Sequence, residues 1–89
     1  MSDPLYKDRP LSSSNTARQT LLLVRIAEEA AEVIQAATKA LRFGADNFHP
    51  DDATKETNIH ALWREADDLN CAVLDFVEES RRVAMGGEG

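Results

Sequence analysis

Apolar residues recur along this chain with a helical period in two long blocks, separated by a polar, turn-rich stretch. In the first block, steps of ~100° per residue place Leu22, Leu23, Ile26, Ala30, Val33, Ile34, Ala36, Ala37, Ala40 and Leu41 on one broad apolar arc. No proline or glycine interrupts the run up to Phe43, and Gly44 supplies a stop. Asn15 or Thr16 can cap its start, and Thr16-Ala17-Arg18-Gln19 fits a capping box. The spacing predicts one helix of roughly 27 residues, about 40 Å long. The second block runs from about Thr57 to Ala84, with Ile59, Leu62, Ala66, Leu69, Val73, Phe76, Val77 and Val83 on its arc.

Between the blocks, Asp46, Asn47, Pro50, Asp51 and Asp52 mark a turn-rich connection, with one short helical turn expected after Pro50. Residues 1–14, with Pro4, Pro10 and a serine run, predict an extended N-terminal arm; residues 15–84 form a single helical domain, and 85–89 a flexible glycine-rich tail. The expected fold is all-α, with two long antiparallel helices per chain. At 89 residues a single chain buries a comparatively small fraction of its surface. Help from a partner chain is therefore expected.

Composition narrows the function classes. Sixteen acidic residues against ten basic ones give a net charge of −6 with no basic block, which argues against a protein that neutralises nucleic-acid phosphates. No nucleic-acid partner is expected. No apolar run approaches the ~18 residues of a membrane span, and the start of the chain lacks a signal-peptide core. The single cysteine, Cys71, has no internal disulfide partner, and no Cys/His set has zinc spacing. These features suit a soluble cytoplasmic protein without a membrane partner.

The candidate chemistry lies in two acidic steps. Glu29 and Glu32 are three apart on the first helix, Glu65 and Asp68 three apart on the second, so each pair shares a helical face. Glu29 and Glu65 fall on an edge of their apolar arcs, where an unpaired charge is costly. In an antiparallel hairpin, pairing Glu32 with Glu65 and Glu29 with Asp68 places the fold-back between Phe48 and His49, inside the connection. All four carboxylates then meet at one level, a donor set of oxygens that suits Mg²⁺, or Mn²⁺, rather than zinc. The competing reading is that these are ordinary solvated helix residues, a reading adopted here for Glu78, Glu79, Arg81 and Arg82.

Glu28-Glu29-x-x-Glu32, followed after a loop by Glu65-x-x-Asp68 on a second long helix, resembles the MazG-like superfamily of all-α nucleoside triphosphate pyrophosphohydrolases. Ala31-Glu32-Val33-Ile34-Gln35-Ala36 and Leu41-Arg42-Phe43-Gly44 also look like its small phage-type members, and the likeness spans about Leu22 to Val77. The resemblance implies hydrolysis of a nucleoside triphosphate to the monophosphate and pyrophosphate, with Mg²⁺ on Glu29, Glu32, Glu65 and Asp68. On that footing Glu28 or Glu29 would orient or deprotonate the attacking water. Arg25 and Lys39 would meet the triphosphate charge, their alternative being exposed salt bridges. Asn58 would bond sugar or phosphate, or else cap the second helix. Trp63 would stack on a base, or else serve packing or a subunit contact. The resemblance also implies a four-helix core. The chain departs from the family in its shortness, since only two long helices are evident, so a second copy would complete the four-helix bundle, as a homodimer or a higher homo-oligomer. A rival of a different class is a catalytically silent helical dimer that acts as an interaction, regulatory or nucleotide-binding module.

Overall fold

A computed structural model describes residues 15–86 as two helices, α1 (Ala17–Phe43) and α2 (Asn58–Ala84), each of 27 residues. The described residues contain no strand. The expected arm 1–14 and the last residues of the expected tail, 87–89, lie outside the described residues. No helix among the described residues is long and apolar enough to cross a membrane.

The ends of α1 follow from local chemistry. Thr16 Oγ1 accepts from the Gln19 backbone N–H at 3.0 Å, and Gln19 Oε1 accepts from the Thr16 N–H at 2.9 Å. Two amide donors at the helix start are thus satisfied reciprocally, an arrangement worth about 1 kcal/mol. At the other end Gly44 adopts φ +96°, and a Cβ there would sit 3.1 Å from the Asn47 side chain. Its N–H donates to the Ala40 carbonyl at 3.0 Å. A side chain at this position would meet both backbone strain and a close neighbour.

The connection is tied to the start of α2. Asn58 N–H donates to Asn47 O at 2.7 Å, Ile59 N–H to Ala45 O at 2.9 Å, and Asn58 Nδ2 to Gly44 O at 2.8 Å. Amides that helix geometry leaves without partners are thereby used to hold the loop. After Pro50 the chain makes separate hydrogen-bonded turns, Asp52 N–H to His49 O and Lys55 N–H to Asp52 O, with Lys55 at φ 54°. The short helical turn expected there does not form. Asp52 Oδ1 accepts from both the Thr54 N–H and its hydroxyl, which fixes a side-chain turn in place of a helical one. These bonds hold the Asp52 carboxyl below its ordinary range.

The two helices pack as an antiparallel hairpin. The facing residues of α1 are Leu22, Ile26, Ala30, Val33, Ala36 and Ala40; those of α2 are Ile59, Leu62, Leu69, Ala72, Phe76 and Val83, all buried or half-buried. Among the described residues only Leu22, Ala36 and Ala72 are buried apolar residues, and the rest of the facing residues are half-buried. Small residues at the centre let the helices approach closely. The arcs read from the sequence are wider than one partner helix can cover. Leu23, Ile34, Leu41, Val73 and Val77 remain exposed, Ile34 at 67% and Leu41 at 87%.

One charge placement differs from expectation. Glu79, read as solvated, is 5% exposed, gripped by Arg82 at 3.0 and 2.6 Å and approached by Arg18 of α1 at 3.5 Å. Its helical position faces α1, so burial follows from geometry, and two guanidinium groups make it tolerable. Arg82 holds the Glu79 carboxyl below its ordinary range.

Candidate metal centre

The Arg18–Glu79 contact and the Glu32/Glu65 level are separated by the same number of residues on each helix, so one register serves both ends of the hairpin. In that register ligand oxygens of Glu29, Glu65 and Asp68 lie within 4.8 Å of one another. Glu32 joins from the side: its carboxyl is held above the ordinary carboxylate range by the charge of Glu65 first and of Glu29 second. All four residues singled out from the sequence are therefore brought to one place. Glu28 is exposed and is not in the group of three.

Burial is graded across the cluster. Glu29 and Glu65 are half-buried and Asp68 is exposed. Glu29 Oε2 is sequestered and accepts no hydrogen bond from the described residues. A sequestered acceptor with no donor is rare in folded proteins and calls for a cation or an ordered donor. Four carboxylates from two helices, one with an orphaned oxygen, are a donor set that fits a hard divalent cation.

Of the two cations first singled out, Lys39 lines the cleft beside the cluster, and Arg25 is drawn to another partner. Arg25 donates to Asp75 at 2.8 Å across the hairpin, and Asp75 foremost, with Glu29 contributing, raises its pKa. It therefore sits near the cluster but is engaged elsewhere. Arg64, which sequence reasoning passed over, donates to Glu65 at 2.6 Å and forks onto both oxygens of Glu56 at 3.1 Å. Glu56 holds the guanidinium more firmly protonated, and Arg64 in turn holds Glu56 below the ordinary range. The available signal was its adjacency to Glu65 at the start of α2. Its partner Glu56 lies in the connection, whose path helical periodicity does not report.

Lys39 lines a small cleft of about 120 Å³ together with Glu32, Glu65, Asn58 and Arg64. Asn58 is the first residue of α2 and not its cap; Thr57 caps the helix, accepting from the His60 N–H at 3.4 Å. The Asn58 side chain instead clasps the Gly44 carbonyl. Trp63 is 59% exposed, makes an edge-to-face contact with His60 at 5.1 Å, and does not line this cleft. Cys71 is exposed.

A pH dependence follows from Glu32. In the unfolded chain its carboxyl titrates near 4.5, and in the metal-free fold it titrates higher. The folded state therefore binds more proton between the two values, and stability falls as pH rises through that window. Below 4.5 both states are protonated and the penalty vanishes. Glu32→Gln should raise the melting temperature of the metal-free protein at neutral pH and leave it unchanged near about pH 3.5. Thermal melts in chelator at the two pH values check this; an equal shift at both would assign the effect to packing. Glu79 and Glu56 act with the opposite sign. Their depressed values contribute stability above the ordinary range that is lost as pH falls through them.

Comparison of the chain with family models, with curated proteins and with solved structures found no match. The functional reading rests on the residues and their geometry.

Proposed function

We propose that this chain is a Mg²⁺-dependent nucleotide pyrophosphohydrolase of the MazG-like kind, cleaving a nucleoside triphosphate to the monophosphate and pyrophosphate. The observation that carries the proposal is the convergence of Glu29, Glu32, Glu65 and Asp68 around an orphaned Glu29 oxygen. A helical scaffold gains nothing from facing like charges unless something bridges them. Mn²⁺ is the alternative ion for the same donors.

In this reading Glu29, Glu32, Glu65 and Asp68 hold the cation. Bound there, it supplies Lewis-acid polarisation of the phosphoryl oxygens and an acidified water nucleophile. Lys39, at the mouth of the cluster, meets the triphosphate charge. Arg64 is the second such group, because a substrate oxygen can replace Glu65 at its Nη1 while Glu56 keeps the fork. Arg25, committed to Asp75, serves to position the hairpin beside Glu29. The proton of the attacking water passes to Glu28 or Glu29, and Glu29 is the one of the pair within the cluster.

The assembly proposed is a homodimer. Leu23, Ala27, Ala30, Ile34, Ala37 and Leu41 follow one another at four- and three-residue steps along α1, all exposed but the half-buried Ala30, as do the exposed Ala66, Val73 and Val77 on α2, with Asn70 between them. Such seams are the pattern of helices that pack in bundles. An apolar stripe of this length left in water favours association. The proposed setting is the cytoplasm, where Cys71 would stay reduced.

The test is turnover on a panel of ribo- and deoxyribonucleoside triphosphates with Mg²⁺ and then Mn²⁺, resolving pyrophosphate from orthophosphate. Monophosphate plus pyrophosphate from a subset of the panel is the expected result. Silence across the panel would leave the catalytically silent helical dimer, which the exposed seams favour on their own.

A further inference from the structure

A larger cleft of about 690 Å³ adjoins the acidic one. It lies between the last turn of α1, the connection and the first turns of α2, and its volume is within the ~300–1,000 Å³ typical of small-ligand sites. Phe43, Phe48, His49 and Pro50 line it, with Lys39 and Arg64 among its other walls. The two clefts share Lys39, Asn58, Ala61 and Arg64. They are therefore halves of one groove, joined at a pair of cations.

We infer that the larger cleft takes the base and sugar of a nucleotide whose phosphates run past Lys39 to Glu32 and Glu65. This inference rests on the phosphohydrolase reading and adds to it where substrate identity is read. Three observations carry it. Asp52, bonded to Thr54, and Glu56, paired with Arg64, also line the larger cleft; apart from these engaged carboxylates the groove runs from aromatic rings to cations to the acidic cluster, the order that base, phosphates and their counter-ion present. Glu32, Lys39 and Phe43 fall on one face of α1 and span about 16 Å along it, about the reach of an extended nucleoside triphosphate. Lys39 makes no ion pair among the described residues, so its charge is available to a ligand.

The walls are fixed in place before any ligand arrives. Asn47 donates its side-chain amide to the Phe43 carbonyl, and Asn58 ties Asn47 and Gly44 to α2. A loop ordered in this way loses little freedom on binding. Phe48 and Phe43 are 43% and 56% exposed, and the Arg42 guanidinium stands 5.1 Å from the Phe43 ring centre. Arg42 thus takes up room at Phe43, which leaves Phe48 the better platform for a base. Stacking on an aromatic ring is tolerant of sequence and strong enough to set affinity.

The full chain with Mg²⁺ is titrated with the nucleoside triphosphate panel and, as the base-free probe, with inorganic tripolyphosphate, following backbone amides by NMR. Nucleotides should move the amides of 43–49, and tripolyphosphate should move those near Lys39 and Glu32 while leaving 43–49 in place. Phe48→Ala should weaken nucleotide binding by about tenfold or more and leave tripolyphosphate within about twofold. Nucleotide affinity retained in Phe48→Ala overturns the inference, and a simultaneous loss of self-association would assign the cleft to a second copy of the chain. Turnover with no shift at 43–49 sinks the inference and leaves the hydrolase reading standing. Nucleotide shifts at 43–49 without turnover do the reverse, and absence of both sinks both.

Discussion

Glu29→Gln should lower Mg²⁺ affinity, and with it metal-dependent turnover, on the order of a hundredfold or more, since removing even an outer-shell partner of a metal site costs 10–100-fold. Glu29 is the choice because it holds the orphaned oxygen and touches both halves of the cluster: Glu65 and Asp68 by distance, Glu32 by charge. The amide keeps the shape of the side chain, removes one like charge and brings donors to neighbouring carboxylates. The metal-free fold should therefore lose no stability. That combination, weaker binding with an unchanged or higher melting temperature in chelator, separates a lost ligand from a damaged fold. Calorimetric titration with Mg²⁺ and Mn²⁺ beside thermal melts provides the measurement, with exposed Glu78→Gln as the control. Retention of wild-type metal affinity in Glu29→Gln would remove the metal centre, and the proposed activity with it.

The second large effect is expected at a residue that touches neither metal nor substrate. Ile34→Glu places a charge in the middle of the exposed seam of α1, at a side chain that the hairpin leaves 67% in water. In a symmetric dimer the change occurs twice. Burying an isoleucine is worth roughly 1.5–3 kcal/mol, so the two copies together weaken association by about 3 kcal/mol or more, on the order of a hundredfold or more in Kd. Sedimentation velocity across a concentration series should show dimer for the wild type and monomer for the variant. Because so few side chains are sequestered within one chain, the variant should also unfold at lower denaturant concentration and with less cooperativity. A wild-type chain that sediments as a stable monomer throughout would contradict the dimer.

Much of this was legible from local pattern. Thr16 with Gln19 and Gly44 after Phe43 named the two ends of α1, because caps are short-range hydrogen-bond problems that neighbouring residues solve. The register was legible too, since pairing Glu32 with Glu65 and Glu29 with Asp68 puts the fold-back inside the turn-rich connection. Glu79 was not. Its neighbours Glu78, Arg81 and Arg82 look like a solvated run, and only the folded hairpin shows Arg82 and the opposing Arg18 together accommodating the carboxylate against α1. The cap role weighed for Asn58 fails, and Arg64 was passed over, for a related reason. Their partners Gly44 and Glu56 lie in the connection, whose course depends on side-chain turns such as Asp52 with Thr54.

The sequence by itself determined two helices, their ends, their antiparallel pairing and the level at which four carboxylates meet. Each of these depends on the fixed rise and turn of an α-helix, which converts spacing into position. Tertiary structure decided which part of each apolar arc the hairpin covers, which oxygen of the cluster is left without a donor, and which cation stands beside it. It also decided that the connection folds back to wall a cleft continuous with the acidic site. Those outcomes depend on distances between residues far apart in the chain, and no helical period encodes them.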